Sequence, residues 1–322
     1  MRPPAFWQGR PDHPAARLLS PVAALYGAMT ARRMDRPGHR APCPVICLGN
    51  FTLGGAGKTP AARAIAAILR AQGESPAFLS RGYGGRLPGP IRVAPGRHGA
   101  ADVGDEPLLL ARDAPAIVAR DRPAGAALCR SEGATVIVMD DGLQNPSLSK
   151  DLAFAVVDGG AGHGNGRVFP AGPLRAPVRR QWPHVAGLIL IGEGGPGEQV
   201  AAEATASGVP VHRGRLVIEG ETFAGRPVLA FAGIGRPDKF FNTLAGAGAR
   251  LVATRPFPDH HPYRPAELDA LGAEARRLGA GLVTTEKDAT RLPPGFAEVL
   301  RVRLAFAHPE AVAKQVLGAL HP

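Results

Sequence analysis

Leu48-Gly49-Asn50-Phe51-Thr52-Leu53-Gly54-Gly55-Ala56-Gly57-Lys58-Thr59-Pro60 has the residue types and order of a phosphate-binding loop. The apolar run Pro44-Val45-Ile46-Cys47-Leu48 before it suits a buried parallel strand. The Ala-rich segment Ala61–Arg70 after it has high helix propensity and apolar periodicity. Between the two, glycines let main-chain N–H groups turn inward around an anion, and the helix start adds positive potential. Lys58 would reach the terminal phosphates of a nucleotide, and the Thr59 hydroxyl would hold Mg²⁺. The nucleotide cradle is expected to comprise Thr52, Leu53, Gly54, Gly55, Ala56, Gly57, Lys58 and Thr59. Thr52 stands where the pattern G-x-x-x-x-G-K-[ST] has its first glycine, while the Gly-Gly-x-Gly-Lys-Thr core is intact. The plainer alternative is a glycine-rich turn carrying a surface lysine. Pro60 fits a first helical turn, where its missing N–H costs little.

Further chemistry lies downstream. Thr135–Met139 is an apolar run that ends in Asp140 and Asp141. In phosphate-loop proteins a strand beside the first ends in an acid that orients Mg²⁺, and these two carboxylates fill that role; a cap after the strand is the alternative. Asp105, in Val103-Gly104-Asp105-Glu106-Pro107, reads first as a helix N-cap. Phe257-Pro258-Asp259-His260-His261-Pro262-Tyr263 offers adjacent histidines after an acid. They suggest metal ligands, although no His or Cys partner at zinc spacing supports a closed site. Alternatively one of them faces a cleft and assists proton transfer. Spacing alone does not join Asp105 to His260.

The elements that must position these groups alternate in type. Strands are expected at Val45–Leu48, Ala77–Ser80, Ala116–Ala119, Thr135–Met139, Ala153–Asp158 and Leu188–Ile191, and helices at Ala61–Ala71, Glu106–Arg112, Ala124–Glu132 and Gly197–Ala206. Such alternation predicts an α/β fold, a mainly parallel sheet with helices on both faces. A second, smaller α/β unit starts near Pro227, after a β-like junction at Arg215–Arg226. The expected division is an N-terminal helical segment 1–40, a phosphate-loop domain 41–218, a linker 219–226 and a C-terminal domain 227–322. Residues Pro88–Gly104 are rich in Gly and Pro and are expected to form a mobile loop.

At 322 residues the chain has room for two domains, and its formal charge of +11 implies an anionic partner: phosphate, nucleic acid or an acidic membrane. No basic tract interleaved with aromatics favours nucleic acid, and nothing indicates an obligate protein partner. Cys43, Cys47 and Cys129 are too sparse for a disulfide framework and fit a reducing compartment. Leu18–Met29 is apolar, interrupted by Pro21 and Gly27, and too short to span a bilayer. Arg17 precedes it, and Arg32, Arg33 and Arg36 follow. That is the profile of a helix lying on acidic lipid, or else of a helix packed on its own domain.

Taken in order, these segments resemble the tetraacyldisaccharide 4′-kinases of lipid A biosynthesis. The resemblance rests on the loop from Gly49 to Pro60, Leu79–Gly84, Val103–Pro107, Asp140–Gln144, Gly164-Asn165-Gly166 with Pro170–Arg175, Ala232–Gly235, Phe257–His261 and Thr285-Glu286-Lys287-Asp288. It implies two α/β/α domains with a cleft between them. It implies transfer of the ATP γ-phosphate to the 4′-hydroxyl of a tetraacylated glucosamine disaccharide 1-phosphate, with ATP and Mg²⁺ as cofactors, at the cytoplasmic face of the bacterial inner membrane. It implies Lys58 and Thr59 on the phosphates, Asp140 and Asp141 on the metal, and Asp105 as base paired with His260, with His261 the other choice. Arg81, Tyr83, Arg120, Arg122 and Asn165 become candidates for holding substrate or phosphates; the arginines also read as solvated surface charge. A switch GTPase or metallochaperone on the same loop, or a non-enzymatic basic membrane-binding module, is the rival. The guanine-reading Asn/Thr-Lys-x-Asp order is absent from Thr285-Glu286-Lys287-Asp288.

Overall fold

The computed structural model describes residues 4–9, 11–220 and 223–320. The strands are β1 (Val45–Gly49), β2 (Pro76–Ser80), β3 (Ile91–Arg92), β4 (Ala116–Val118), β5 (Val136–Asp140), β6 (Leu152–Asp158), β7 (Gly187–Ile191), β8 (Val211–Glu219), β9 (Pro227–Ala232), β10 (Arg250–Pro256), β11 (Gly281–Thr285) and β12 (Glu298–Phe306). They form one mixed, mostly parallel sheet in the order β10-β9-β11-β12-β8-β7-β6-β1-β5-β2-β4-β3. The helices are α1 (Pro14–Met34), α2 (Lys58–Ala71), α3 (Ala100–Val103), α4 (Asp105–Leu110), α5 (Arg122–Ser131), α6 (Val178–Gln181), α7 (Gly195–Ala206), α8 (Pro237–Gly246), α9 (Pro265–Leu278), α10 (Glu286–Ala289) and α11 (Pro309–Gly318).

The phosphate-loop strand β1 sits between β5 and β6, parallel to both. Its alternate residues feed two cores: Val45 and Cys47 pack on one face, Ile46 and Leu48 on the other. Burial on both faces is why this strand reads as a continuous apolar run. In α2 the buried residues Ala61, Ala62, Ile65, Ala66 and Leu69 form one helical stripe. Burial of Ile65 and Leu69 contributes about 1.5–3 kcal/mol each. The same alternation recurs in β9, with Val228 and Ala230 in one core and Leu229 and Phe231 in another.

Two stretches take more definite form. Residues 88–104 carry β3, antiparallel to β4, and the short α3. Their Gly and Pro content shapes turns instead of leaving the stretch without structure. The β-like junction begins in strand, since Arg215–Glu219 are the end of β8, which pairs antiparallel with β12, in register from Arg301 against Glu219 to Phe306 against Gly214. Glu221 and Thr222 of the expected linker lie outside the described residues, as do residues 1–3 and 10 of the N-terminal segment and 321–322 of the C-terminal unit.

Pro21 does not break the N-terminal segment, which forms the single helix α1 of 21 residues. Gly27 is a close-approach point: a Cβ there would lie 3.2 Å from Pro177 and 3.3 Å from Val168. The side of α1 against the body is made of small residues, including Ala16, Ala23, Gly27 and Ala31. Its large apolar side chains face outward, with Leu18 81%, Val22 57%, Leu25 66% and Met29 65% exposed. Tyr26 packs edge-on against Phe169, extending this apolar surface onto a neighbouring loop. No described helix is long and apolar enough to cross a membrane.

Candidate active site

The phosphate loop is shaped by its glycines. Gly54 and Gly57 take φ of +109° and +90°, a region that side chains resist, and Gly57 directly precedes α2. Asn50, fully buried, organises the loop from below. Its Nδ2 donates to the carbonyls of Thr52 at 2.7 Å and Gly54 at 3.3 Å. Its Oδ1 accepts from Lys58 Nζ at 3.2 Å, so the lysine is held along the loop. Gln144 in turn donates to the Asn50 carbonyl at 2.8 Å.

Asp140 ends β5 beside this loop, and Asp141 follows at φ 55°. Asp141 N donates to the Leu48 carbonyl at 2.8 Å, tying the two strand ends together. Burial pushes the Asp140 carboxyl up to about 7, with Lys58 opposing and Asp141 adding to the rise. Asp140 Oδ1 is buried with no hydrogen-bond partner. An orphaned carboxylate oxygen facing a phosphate loop fits a hard cation or its water, with the Thr59 hydroxyl as a second oxygen donor. Burial would raise the Asp141 carboxyl too, but Lys58 and Arg175 outweigh it and hold the group below its usual range. Arg175 lies 3.0 Å from each Asp141 oxygen and donates through Nε to the Thr52 carbonyl at 3.0 Å. Arg175 was not singled out from sequence. The planar guanidinium fork is the chemistry that suits a carboxylate here.

Asp105 is the first residue of α4, after Gly104 at φ 89°. It is not the N-cap that its position in the sequence suggests, because Gly104 occupies that place. It is 3% exposed, and its Oδ2 lies 2.8 Å from His260 Nδ1. His260 is the dyad histidine, since His261 is instead paired with Glu267 at 2.9 Å. His260 also has positive φ, 58°, with its N–H donating to the Gly233 carbonyl at 3.0 Å. Asp141 and His260 are the only non-glycine residues at positive φ among the described ones; one lies beside Lys58 and the other beside Asp105. Strain of this kind clusters at functional sites. The loop carrying Gly235 reaches the phosphate loop: a Cβ on Gly235 would sit 3.9 Å from Gly55 N.

The four residues of Thr285-Glu286-Lys287-Asp288 do separate jobs. Thr285 caps α10 by accepting from Asp288 N. Glu286 pairs with Arg63 of α2 at 3.1 Å. Lys287 Nζ lies 2.8 Å from Glu106 and 3.2 Å from His260 Nε2. Asp288, fully buried, accepts from Gly233 N and Tyr263 Oη. Arg291 lies one turn on, 3.4 Å from Asp105 Oδ2 and bonded to the carbonyls of Gly233 and His261.

The substrate candidates divide. Tyr83 is exposed over the cleft, its ring 5.4 Å from that of His260. Arg81 and Arg120 are exposed, and the Arg120 guanidinium donates to the Gly85 carbonyl at 3.5 Å. Arg122 is 2% exposed, donates to the Ala119 carbonyl at 2.8 Å, lies near Asp140 and leaves its buried Nε without a partner. Asn165 is also buried: its amide group bonds to Ala171 O, Phe6 O and Arg167 N, so it organises its own loop. Among the described residues no cluster of three or more His, Cys, Asp or Glu is arranged to hold a metal ion; His260 faces Asp105 and His261 faces Glu267. The three cysteines are free and buried.

Fold and site together define a phosphate-loop phosphotransferase whose C-terminal half approaches the loop at Gly235. A family profile described as tetraacyldisaccharide-1-P 4′-kinase (LpxK) matches residues 15–321. A tetraacyldisaccharide 4′-kinase of Methylobacterium radiotolerans is 71% identical over 323 residues, covering 99% of each chain. One from Methylorubrum extorquens strain PA1 is 66% identical over 326 residues, covering 100% of this chain and 99% of the other. In fold the chain matches the crystal structure of LpxK from Aquifex aeolicus in complex with ATP, with a TM-score of 0.74, 24% identity, and coverage of 95% and 99%. The chain belongs to the tetraacyldisaccharide 4′-kinase family. That membership sets aside the switch GTPase, the metallochaperone and the non-enzymatic module.

Proposed function

We propose that the enzyme transfers the γ-phosphoryl group of ATP to the 4′-hydroxyl of a tetraacylated glucosamine disaccharide 1-phosphate, in lipid A biosynthesis. The observation that carries this reading is the Asp105–His260 pair at 2.8 Å, built from the two halves of the chain beside the phosphate loop. The loop from Thr52 to Thr59 cradles the triphosphate, and Lys58 neutralises its terminal oxygens. Thr59, Asp140 and Asp141 would hold Mg²⁺, which supplies further charge neutralisation on the phosphates. The Asp105–His260 pair takes the proton from the acceptor hydroxyl. The hydroxyl oxygen then bonds to the γ-phosphorus, the bond to the β-phosphate oxygen breaks, and ADP leaves. Closure of the second half over the loop excludes water, which would otherwise hydrolyse ATP. Arg81, Tyr83 and Arg120, exposed near the cleft, are suited to the acceptor's head group. In this reading 41–218 is the nucleotide unit, 227–322 the closing unit and 219–226 the link.

The enzyme works from the cytoplasmic face of the inner membrane. Support comes from α1, whose outward Leu18, Val22, Leu25 and Met29 form an apolar strip beside Arg17, Arg32, Arg33 and Arg36. Such a surface lies in the headgroup region of acidic lipid. The test is incubation with ATP, Mg²⁺ and a tetraacyl disaccharide monophosphate, followed by mass analysis. One added phosphate on the lipid is expected; ATP turnover that leaves the lipid unchanged would refute the reading. Equal or better transfer with GTP would overturn the choice of ATP as donor.

A further inference from the structure

We propose that Phe169 is a second point of membrane contact beside α1, and that it fixes the roll of the enzyme on the bilayer and so the height of the phosphate loop above it. The inference rests on the membrane placement of α1 given above. Phe169 is 37% exposed, and its ring packs against Tyr26 of α1 at 5.4 Å and against Trp7 at 6.0 Å between centroids. Leu18, Val22, Leu25 and Met29 recur along one line of α1, and Tyr26, four residues after Val22, stands about 40° round the helix from it. Phe169 therefore carries the apolar surface to one side of the helix. A single exposed ring would mean little; this one continues a strip of four exposed side chains onto a second element. Charge selects lipid as the occupant. Neither α1 nor residues 163–184 contain an Asp or Glu, while they carry Arg17, Arg32, Arg33, Arg167, Arg179 and Arg180. Arginines around an apolar strip match an anionic headgroup layer over hydrocarbon. A second copy docked by the same face would set these arginines against one another.

The turn that carries Phe169 is braced against α1 and joined to the phosphate loop. Within it, Gly172 N donates to the Val168 carbonyl at 3.1 Å and Phe169 N to the Leu174 carbonyl at 2.9 Å. Trp7 Nε1 donates to the Pro170 carbonyl at 3.1 Å, and Asn165 Nδ2 to the Ala171 carbonyl at 2.9 Å. Arg167 donates to Ser20 Oγ at 2.8 Å, and the bare Cα of Gly27 lets Val168 and Pro177 close on the helix. At its far end the same segment meets the loop: Leu53 N donates to the Pro173 carbonyl at 2.7 Å and Arg175 N to the Phe51 carbonyl at 2.8 Å. A helix lying on a surface makes a line of contact, and the body can still roll about that line. A second contact beside the line removes this freedom. Because Phe169 and the phosphate loop share one hydrogen-bonded segment, the depth of the ring in lipid sets where Lys58 and Asp141 stand relative to the headgroups. The acceptor hydroxyl belongs to a lipid held at that level, so the roll decides whether it meets the γ-phosphate in line. Phe169 acts through the phosphate loop and is a positioning residue.

The test uses the full-length enzyme and vesicles of phosphatidylglycerol and phosphatidylethanolamine with brominated acyl chains. Trp7 and Trp182 are buried, so the wild type supplies the background emission. F169W and L25W place a tryptophan at each contact, and the bromines should quench both. Quenching of L25W without F169W would overturn the proposal. Quenching of neither would take α1 itself off the membrane, and the proposal with it. A kinetic arm separates orientation from grip. At vesicle concentrations that bind all of the enzyme, F169D should transfer to the embedded acceptor about tenfold more slowly than the wild type, and F169L should recover most of that rate. Toward the same acceptor dispersed in detergent, F169D should stay within about twofold, with an unchanged KM for ATP, because the phosphate loop itself is intact. Equal slowing in detergent would locate the effect in the phosphate loop and overturn the proposal. So would a vesicle-bound F169D enzyme that keeps the full rate. Absence of lipid phosphorylation by the wild type would instead remove the proposed function, while the quenching still reads the contact.

Discussion

The two halves of this active site are built by different means. The phosphate loop, Lys58, Thr59 and the ends of β1 and β5 are made from local backbone, with glycines, a helix start and adjacent strand ends. The dyad is made from side chains separated by 155 positions in the chain, held by Lys287, Arg291 and a strained turn at His260. A cradle of main-chain amides survives most side-chain changes around it. A side-chain pair assembled from opposite halves of the chain depends on each partner and on the contacts that bring them together.

Substitutions should separate the two. D105A is expected to give the largest effect, a fall in kcat of about 10²–10⁴-fold. Its ATP affinity, measured by equilibrium binding, should stay near that of the wild type. A parallel loss of nucleotide binding would break the contrast between cradle and dyad. K58M should cost about 10²–10³-fold in turnover, the range for removing one preorganised charge-stabilising group. Here ATP binding should weaken as well; unchanged binding would mean that Lys58 acts only in the transition state. A third comparison sets the site against its approach. L25D in α1 removes an exposed leucine worth about 1.5–3 kcal/mol when buried in lipid, so partition onto acidic vesicles should drop about tenfold or more. Turnover of a detergent-dispersed acceptor should hold. Vesicle partition that does not respond would remove α1 from the membrane interface.

The smallest effect concerns how the halves are held. Asp158, at the end of β6, pairs with Arg236 at 2.6 Å and with Lys239. Burial would raise its carboxyl, but Lys239 and Arg236 outweigh burial and hold the pKa below the ordinary value of 3.8. A depressed carboxyl pKa contributes stability that is present above 3.8 and lost as the pH falls through the folded value. D158N should therefore lower stability at pH 7 by about 1–2 kcal/mol, because its cationic partners are themselves half-exposed. The difference from the wild type in denaturant midpoint should shrink below pH 3.8. A gap that persists undiminished in acid would show that packing around Asp158, not its charge, does the work.

Legibility followed the same division. The strands from β1 to β7, apart from the two-residue β3, show in the sequence because burial on both faces makes continuous apolar runs. Asp140 and Asp141 stand out because they end such a run, and Lys58 and Thr59 because they follow the glycines that lead into α2. β12 was missed, although Leu300, Val302 and Leu304 alternate with Arg301 and Arg303. Half-buried alternation is a quieter signal than a solid apolar block, and it was the one available. The pairing of Asp105 with His260 followed from resemblance, because no periodicity links residues so distant. Asn50 and Arg175 lay inside quoted motifs, but their value is geometric: one holds Lys58 along its loop, the other grips Asp141. Arg122 and Asn165 show what a polar type in the sequence leaves out, namely that both side chains are buried.

The antiparallel seam between β8 and β12 has a practical consequence. β8 precedes the 219–226 link and β12 comes late in the chain, so the ladder from Gly214 and Phe306 to Glu219 and Arg301 staples the two sides across it. A protease that nicks the chain within the link cuts one covalent path while that row of hydrogen bonds stays whole. The fragments should travel together through a sizing column and part only in denaturant.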